Sequence, residues 1–222
     1  MFQGVSGTGK TTLGSALAKA LDVPYVEGDD LHPRSNIEKM SSGDPLTDSD
    51  REPWLRLIRT TAEDMITLEA QSGAKFNNGG NKRAVVISCS ALKKRYRDIL
   101  RGLGQQENNV KLSTSENSNS QLPSLKTLFV YIEGTREVLM DRMMKRTDHF
   151  MKPSMLDSQL QTLENPVHEE GVITISLMIS REDQVRVAQQ KLRRVLGMEV
   201  AVDPLISLQM GNDNEARKQR YV

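Results

Sequence analysis

Residues Gly4–Thr11, reading Gly-Val-Ser-Gly-Thr-Gly-Lys-Thr, constrain the fold of this chain more than any other stretch. They meet the pattern G-x-x-x-x-G-K-[ST] at every fixed position. Glycines let the backbone turn tightly and come close to an anion. The freed N–H groups converge on it, and a helix starting at once adds the positive end of its dipole. Lys10 has the reach for outer phosphates, and the Thr11 hydroxyl suits Mg²⁺. The expected phosphate-binding residues are therefore Gly4, Ser6, Gly7, Thr8, Gly9, Lys10, Thr11 and Thr12. Such a loop works between a strand and a helix. Leu13, Ala16, Leu17, Ala20 and Leu21 recur at i, i+3, i+4, i+7 and i+8, which predicts the helix. Only Met1, Phe2 and Gln3 precede Gly4, whereas a buried strand usually takes about five or six residues.

Strand and helix signals alternate along the rest of the chain. Val23–Glu27 reads as a short strand with Pro24 at an edge or entry position, ending in Gly28-Asp29-Asp30. Ala84–Ile87 and Leu128–Ile132 are continuous apolar runs, as strands covered on both faces read. Val172–Ser176 is the last strand, followed by a cap-like Ser180 and Asp183 and a helical stripe of Val185, Ala188, Leu192 and Val195. Between the first two strands and Ala84, a short helix is expected near Asn36–Met40. A long one is expected from near Glu52, with Pro53 in its first turn. Trp54 reads as core. The alternation predicts an α/β fold with a mostly parallel sheet and helices on both faces. Residues 104–124, dominated by Gln, Asn, Ser and Glu, read as a disordered surface insertion, and the polar end of the chain from about residue 201 reads as a tail.

Composition excludes several classes. The 222 residues carry a net charge of +1, so no polyanion or membrane-surface partner is indicated. No apolar run approaches the ~18 residues of a membrane span, and no leader pattern opens the chain. Aromatics at 4% do not interleave with basic residues, which argues against nucleic-acid stacking. A single cysteine, Cys89, suits a reducing compartment and a cytoplasmic protein.

A phosphate loop alone does not name a reaction. The Asn-Lys-x-Asp that reads a guanine base is missing, and the strand at 84–87 runs into Ser88-Cys89-Ser90 rather than an acid, unlike a motor. Asp29 is the better acid: at the C-terminal end of its strand it lies where open α/β sheets bind ligands. It could take a proton from an attacking hydroxyl or hold Mg²⁺ through water. Arg142, Lys145, Arg146 and His149 read either as a lid that neutralises transferred phosphate or as a solvated helix end.

Three blocks sharpen this. Gly28-Asp29-Asp30-Leu31-His32-Pro33-Arg34 through Trp54-Leu55 closely resembles the signature of the gluconokinase family. So do Cys89–Arg101 and the segment His149–Met151 with Met155–Pro166. The blocks stand in family order and, with the phosphate loop, span residues 4 to about 176. The resemblance implies ATP-dependent phosphorylation of D-gluconate at its 6-hydroxyl, with Mg²⁺. It also implies a fold like the nucleoside monophosphate and shikimate kinases: five parallel strands, a substrate lobe over about 31–72 and a lid over about 145–154, in one domain spanning about 1–200. It allows a homodimer. Within that reading Lys10, Asp29 and Arg146 are catalytic, and Arg142 lies against adenine. Arg51 is the fork for the substrate carboxylate. Asp29, His32, Lys39, Lys93 and His149 serve the rest of the substrate. A kinase for another small hydroxy acid and an inactive nucleotide-binding relative are the rival readings. The short first strand departs from the family pattern and is expected to be an incomplete start.

Overall fold

The computed structural model describes residues 1–71, 83–103, 125–145 and 153–197. The expected insertion, the tail, and Arg146 and His149 of the expected lid lie outside the described residues. The chain falls into two units, Met1–Gln189 and Gln190–Val222; the described part of the second is the end of one helix and the turn after it.

Five strands form one sheet: β1 (Phe2–Gln3), β2 (Tyr25–Glu27), β3 (Val86–Ser88), β4 (Phe129–Glu133) and β5 (Val172–Ser176). All pairings are parallel, in the order β2-β3-β1-β4-β5. The helices are α1 (Lys10–Leu21), α2 (Arg34–Ser41), α3 (Asp48–Gln71), α4 (Lys94–Arg101), α5 (Arg136–Met144), α6 (Pro153–Thr162) and α7 (Arg181–Val195). Because every strand runs the same way, Gln3, Glu27, Ser88, Glu133 and Ser176 end at a common edge, where the connecting loops gather. None of the described helices is long and apolar enough to cross a membrane.

The central strands are buried along their length, as their unbroken apolar runs predict. β2 is an edge strand and begins at Tyr25 rather than Val23. Pro24 has no N–H for the ladder, although its carbonyl accepts from Val86 N at 2.9 Å. One core cluster gathers Trp54, Leu55, Ile58, Ile87, Cys89, Tyr96, Leu100 and Phe129, joining α3 and α4 to β3 and β4. α1 approaches the sheet closely at Gly14. A Cβ there would stand 2.9 Å from the Tyr25 ring and 3.2 Å from that of Phe2.

α3 starts a turn earlier than its proline suggests. Thr47 N and Oγ1 both donate to Asp50 Oδ2, at 2.6 and 2.8 Å, while Asp50 N donates back to Thr47 Oγ1 at 3.3 Å. This reciprocal box, with aspartate where glutamate is commoner, initiates the helix at Asp48. Pro53 then falls inside it.

β1 has two residues, yet it pairs on both sides: Phe2 with Ser88 and Val130, Gln3 with Tyr131. The Met1 amine is buried beside it and donates to Leu128 O at 2.6 Å. Burial brings its pKa down from 8.0 to about 5. Folding then requires an amine that is neutral between those values, where the unfolded chain holds it protonated. The contribution of this amine to stability is therefore expected to rise from pH 5 to pH 8 and level off above. A four-residue apolar extension converts the amine to an amide and lengthens β1. Urea unfolding of both forms across this range should show higher stability and a flatter pH dependence in the extended form; equal stability and equal slopes would refute this account.

Gln3 is 1% exposed, and neither atom of its amide has a hydrogen-bond partner among the described residues. A buried unsatisfied amide costs about 1–3 kcal/mol. Gln3→Met keeps the volume and removes the polar atoms. The expected result is a gain of about 1–3 kcal/mol in urea unfolding; a loss would mean that the amide has a partner in solution.

Candidate active site

The loop leaving β1 turns through Gly4, Gly7 and Gly9 at φ of 140°, 83° and 84°, angles that side chains rarely adopt. Gly7 also needs its small size, since a Cβ would lie 3.0 Å from Met143. Thr8 Oγ1 closes the loop onto Val5 O at 2.9 Å. Gly9 is the N-cap of α1 and brings no capping side chain, so the helix's opening amides face the loop. Lys10 Nζ arches over the same loop, donating to Gly4 O at 2.9 Å and Val5 O at 3.0 Å.

Two carboxylates face it from the end of β2. Burial pushes Glu27 up, but hydrogen bonds from Ser88, Tyr25 and Thr11 together hold it below its ordinary range. Ser88 Oγ stands at 2.5 Å and Tyr25 OH at 2.7 Å. Asp29, exposed at the site's edge, is shifted the other way, by partial desolvation of its carboxyl first and then by the charge of Glu27, with Lys10 opposing. One acid is thus kept ionised while its neighbour is made more basic, a division suited to one electrostatic role and one proton acceptor. Between them Gly28 lies against β3: a Cβ there would stand 2.3 Å from Ser88 O. Its carbonyl accepts from Trp54 Nε1 at 2.8 Å.

A 3₁₀ turn over Gly28–Leu31 leads from these acids to α2. His32 stacks on Trp54, with centroids 4.0 Å apart and planes 14° from parallel. Burial, then the charge of Arg51, brings His32 down to about 4. Arg51 bonds Leu46 O and lies 6.0 Å from the Tyr96 ring centroid. Lys93 Nζ stands 5.6 Å from the same ring and pairs with Asp48 at 2.9 Å. Hydrogen bonds from Tyr96 and Lys93 hold Asp48 down at about 2. Lys39 pairs with Asp50 at 2.7 Å. The structure thus brings Asp29, His32 and Arg51 into one region, joins Lys93 to it through Tyr96, and engages Lys39 and Lys93 in ion pairs.

On the other side of the phosphate loop is a cleft of about 420 Å³, lined by Gly7, Gly9, Thr12, Arg142, Ile179–Arg181 and Gln184. Arg142 donates to Leu177 O at 3.2 Å, which fixes it along this cleft.

Three residues here escape the sequence reading. Glu27 had a readable signal: with Asp29 it flanks a single residue at a strand's C-terminal end. Asn36 is 4% exposed and touches both His32 and the backbone of Asp50. Gln159 of α6 accepts from Ser6 N in the phosphate loop at 2.7 Å across 153 residues, a contact that no local pattern announces.

A phosphate loop at the end of a central parallel strand, faced by strand-end carboxylates and flanked by a cleft, defines a P-loop kinase of the small-molecule type. No family model matches the chain. The gluconokinase of Gluconobacter oxydans (strain 621H) is 41% identical over 176 residues, 79% of this chain and 80% of that protein. The thermoresistant gluconokinase of Escherichia coli (strain K12) is 38% identical over 175 residues, 79% of this chain and 81% of that one. The crystal structure of a gluconokinase from Sinorhizobium meliloti 1021 matches with a TM-score of 0.65 at 37% identity, covering 87% of this chain and 90% of that one. The chain belongs to the gluconokinase family.

Proposed function

We propose that this chain transfers the terminal phosphoryl group of ATP to the 6-hydroxyl of D-gluconate, giving 6-phospho-D-gluconate for the pentose phosphate route. The observation that carries this reading is the meeting of the Lys10 phosphate loop with Asp29 in a gluconokinase-family chain. Lys10 and the loop amides hold the phosphates, and the adenine lies in the cleft along Arg142. Asp29, made more basic by partial desolvation and by Glu27, accepts the proton of the attacking hydroxyl. Arg51 clamps the substrate carboxylate, with His32, Lys39 and Lys93 along the remaining oxygens. Arg146 and His149, which lie outside the described residues, are assigned to the transferred phosphoryl and the substrate. No covalent intermediate is required; the chain supplies in-line positioning and charge neutralisation.

Thr11, Glu27 and Asp29 form a set of hard oxygen donors that fits Mg²⁺, and the Thr11–Glu27 hydrogen bond brings two of them together. A Mg²⁺ ion held by these oxygens beside the nucleotide would supply neutralisation of charge on the outer phosphates. Cys89 is buried and its thiol is pushed up to about 12, chiefly by that burial, so it acts as core rather than as a nucleophile. The reading makes the protein a cytoplasmic enzyme, with a homodimer as the assembly to test by light scattering. A coupled assay should show ADP release that depends on gluconate, and a panel of sugar acids and shikimate should rank gluconate first. Release that is indifferent to gluconate would refute the assignment.

A further inference from the structure

Asn36 sits on α2 at 4% exposure, and its side-chain nitrogen meets two groups. It donates to Asp50 O at 2.9 Å and lies 3.3 Å from Nδ1 of His32. A main-chain carbonyl only accepts, so the amide atom facing Asp50 must be the nitrogen, and the amide cannot be turned over. That nitrogen carries a second hydrogen. Nδ1 of His32 must accept it, because two donors facing each other would leave both unpaired. An imidazole that accepts at Nδ1 is neutral and carries its proton on Nε2.

The ring is also fixed in space. Its face rests on Trp54, which is 1% exposed and itself tied to Gly28 O at 2.8 Å. Its backbone N–H donates to Asp29 O at 3.3 Å. Nε2 has no hydrogen-bond partner among the described residues, and Arg51 is near enough for its charge to act on the ring.

We propose that Asn36 is a positioning residue that locks His32 as a neutral Nε2–H donor, aimed at an oxygen acceptor of the substrate beside Arg51. With the guanidinium it makes a pair of donors, which favours a carboxylate or hydroxyl oxygen and rejects a donor-only ammonium group. The substrate part of this proposal rests on the function given above; the state of the ring does not.

Long-range ¹H–¹⁵N correlation spectra of the full chain at pH 7.5 test the ring directly. The sequence has three histidines, and His32→Gln identifies the signals of this one. The expected result is a protonated-type shift at Nε2 and an unprotonated-type shift at Nδ1. A proton on Nδ1, an imidazolium, or an even mixture of tautomers overturns the proposal. Asn36→Asp replaces the donor with an acceptor and should move the proton to Nδ1. The KM for gluconate should then rise about tenfold, the effect of one hydrogen bond, with the KM for ATP unchanged. A variant that melts like the parent and keeps its gluconate KM also overturns the proposal. If the variant does not fold, the spectrum of the unsubstituted chain decides. Failure of that chain to phosphorylate gluconate would count against the function and leave the tautomer result standing.

Discussion

Arg97→Ala is expected to lower the unfolding free energy by about 3–5 kcal/mol, the cost of breaking a buried ion pair from one side. Arg97 is 0% exposed. Its Nε and Nη2 form a fork on Glu169, Nη1 donates to the carbonyls of Ala91 and Leu92 at 3.0 Å each, and Nη2 also reaches Glu164 O at 3.0 Å. The guanidinium therefore ties the β3–α4 loop to the segment between α6 and β5. That loop needs holding, because Ala91 sits at φ 35°, in a region that a residue with a Cβ seldom occupies. Removing Arg97 leaves Glu169, whose carboxyl is pushed up by burial but held below its usual range by Arg97 and Arg101, with Arg101 alone at 3.0 Å. Since its folded pKa is depressed, this stability is present above the unfolded value and is lost as pH falls through the folded one. Urea unfolding at pH 7 measures the effect. Arg97→Lys should recover only part of it, having charge without the fork. A loss below about 1 kcal/mol for Arg97→Ala would show that the loop holds itself.

Asp29→Asn should cut kcat by about 10²–10⁴-fold, the usual worth of a positioned proton acceptor, while leaving the melting temperature unchanged or raised. The second half follows from the sign of its shift. A carboxylate whose pKa is raised in the folded state costs stability when it is ionised, and a neutral amide removes that cost. Loss of activity without loss of fold separates a chemical role from a structural one. Initial rates at saturating gluconate and ATP from pH 4 to 8, with melting curves, measure both. A variant keeping more than a tenth of the parent kcat would remove Asp29 from the proton transfer.

The phosphate loop, the five strands and most helices were legible because each rests on local rules: glycine spacing, unbroken apolar runs and a 3.6-residue stripe. The reading failed where two local rules competed. At the start of α3, the reading rested on Pro53, and the Thr47–Asp50 box seen in the structure sets an earlier origin because it satisfies three polar groups at once. Trp54 reads as core and is core, yet one face of its ring also supports His32; one side chain serving two neighbours has no sequence signature. Arg97 and Glu169 are 72 residues apart and look like ordinary surface charges until the fold closes over them. Site residues were legible where a residue type matches a reaction, as with Lys10 and Asp29, and hidden where a residue acts through another, as with Asn36 and Gln159.

Gly28 carries a consequence for how this site can change. The ends of β2 and β3 touch there at backbone distance, leaving no room for even a methyl group. The acids on either side of it are thus set by main-chain contact and cannot be re-aimed by repacking side chains. Laboratory evolution toward a longer or bulkier acceptor would find this wall unyielding. New specificities should accumulate instead in α2 and the opening turns of α3, where exposed Ile37 and Met40 and the solvent-facing ion pairs leave space to vary.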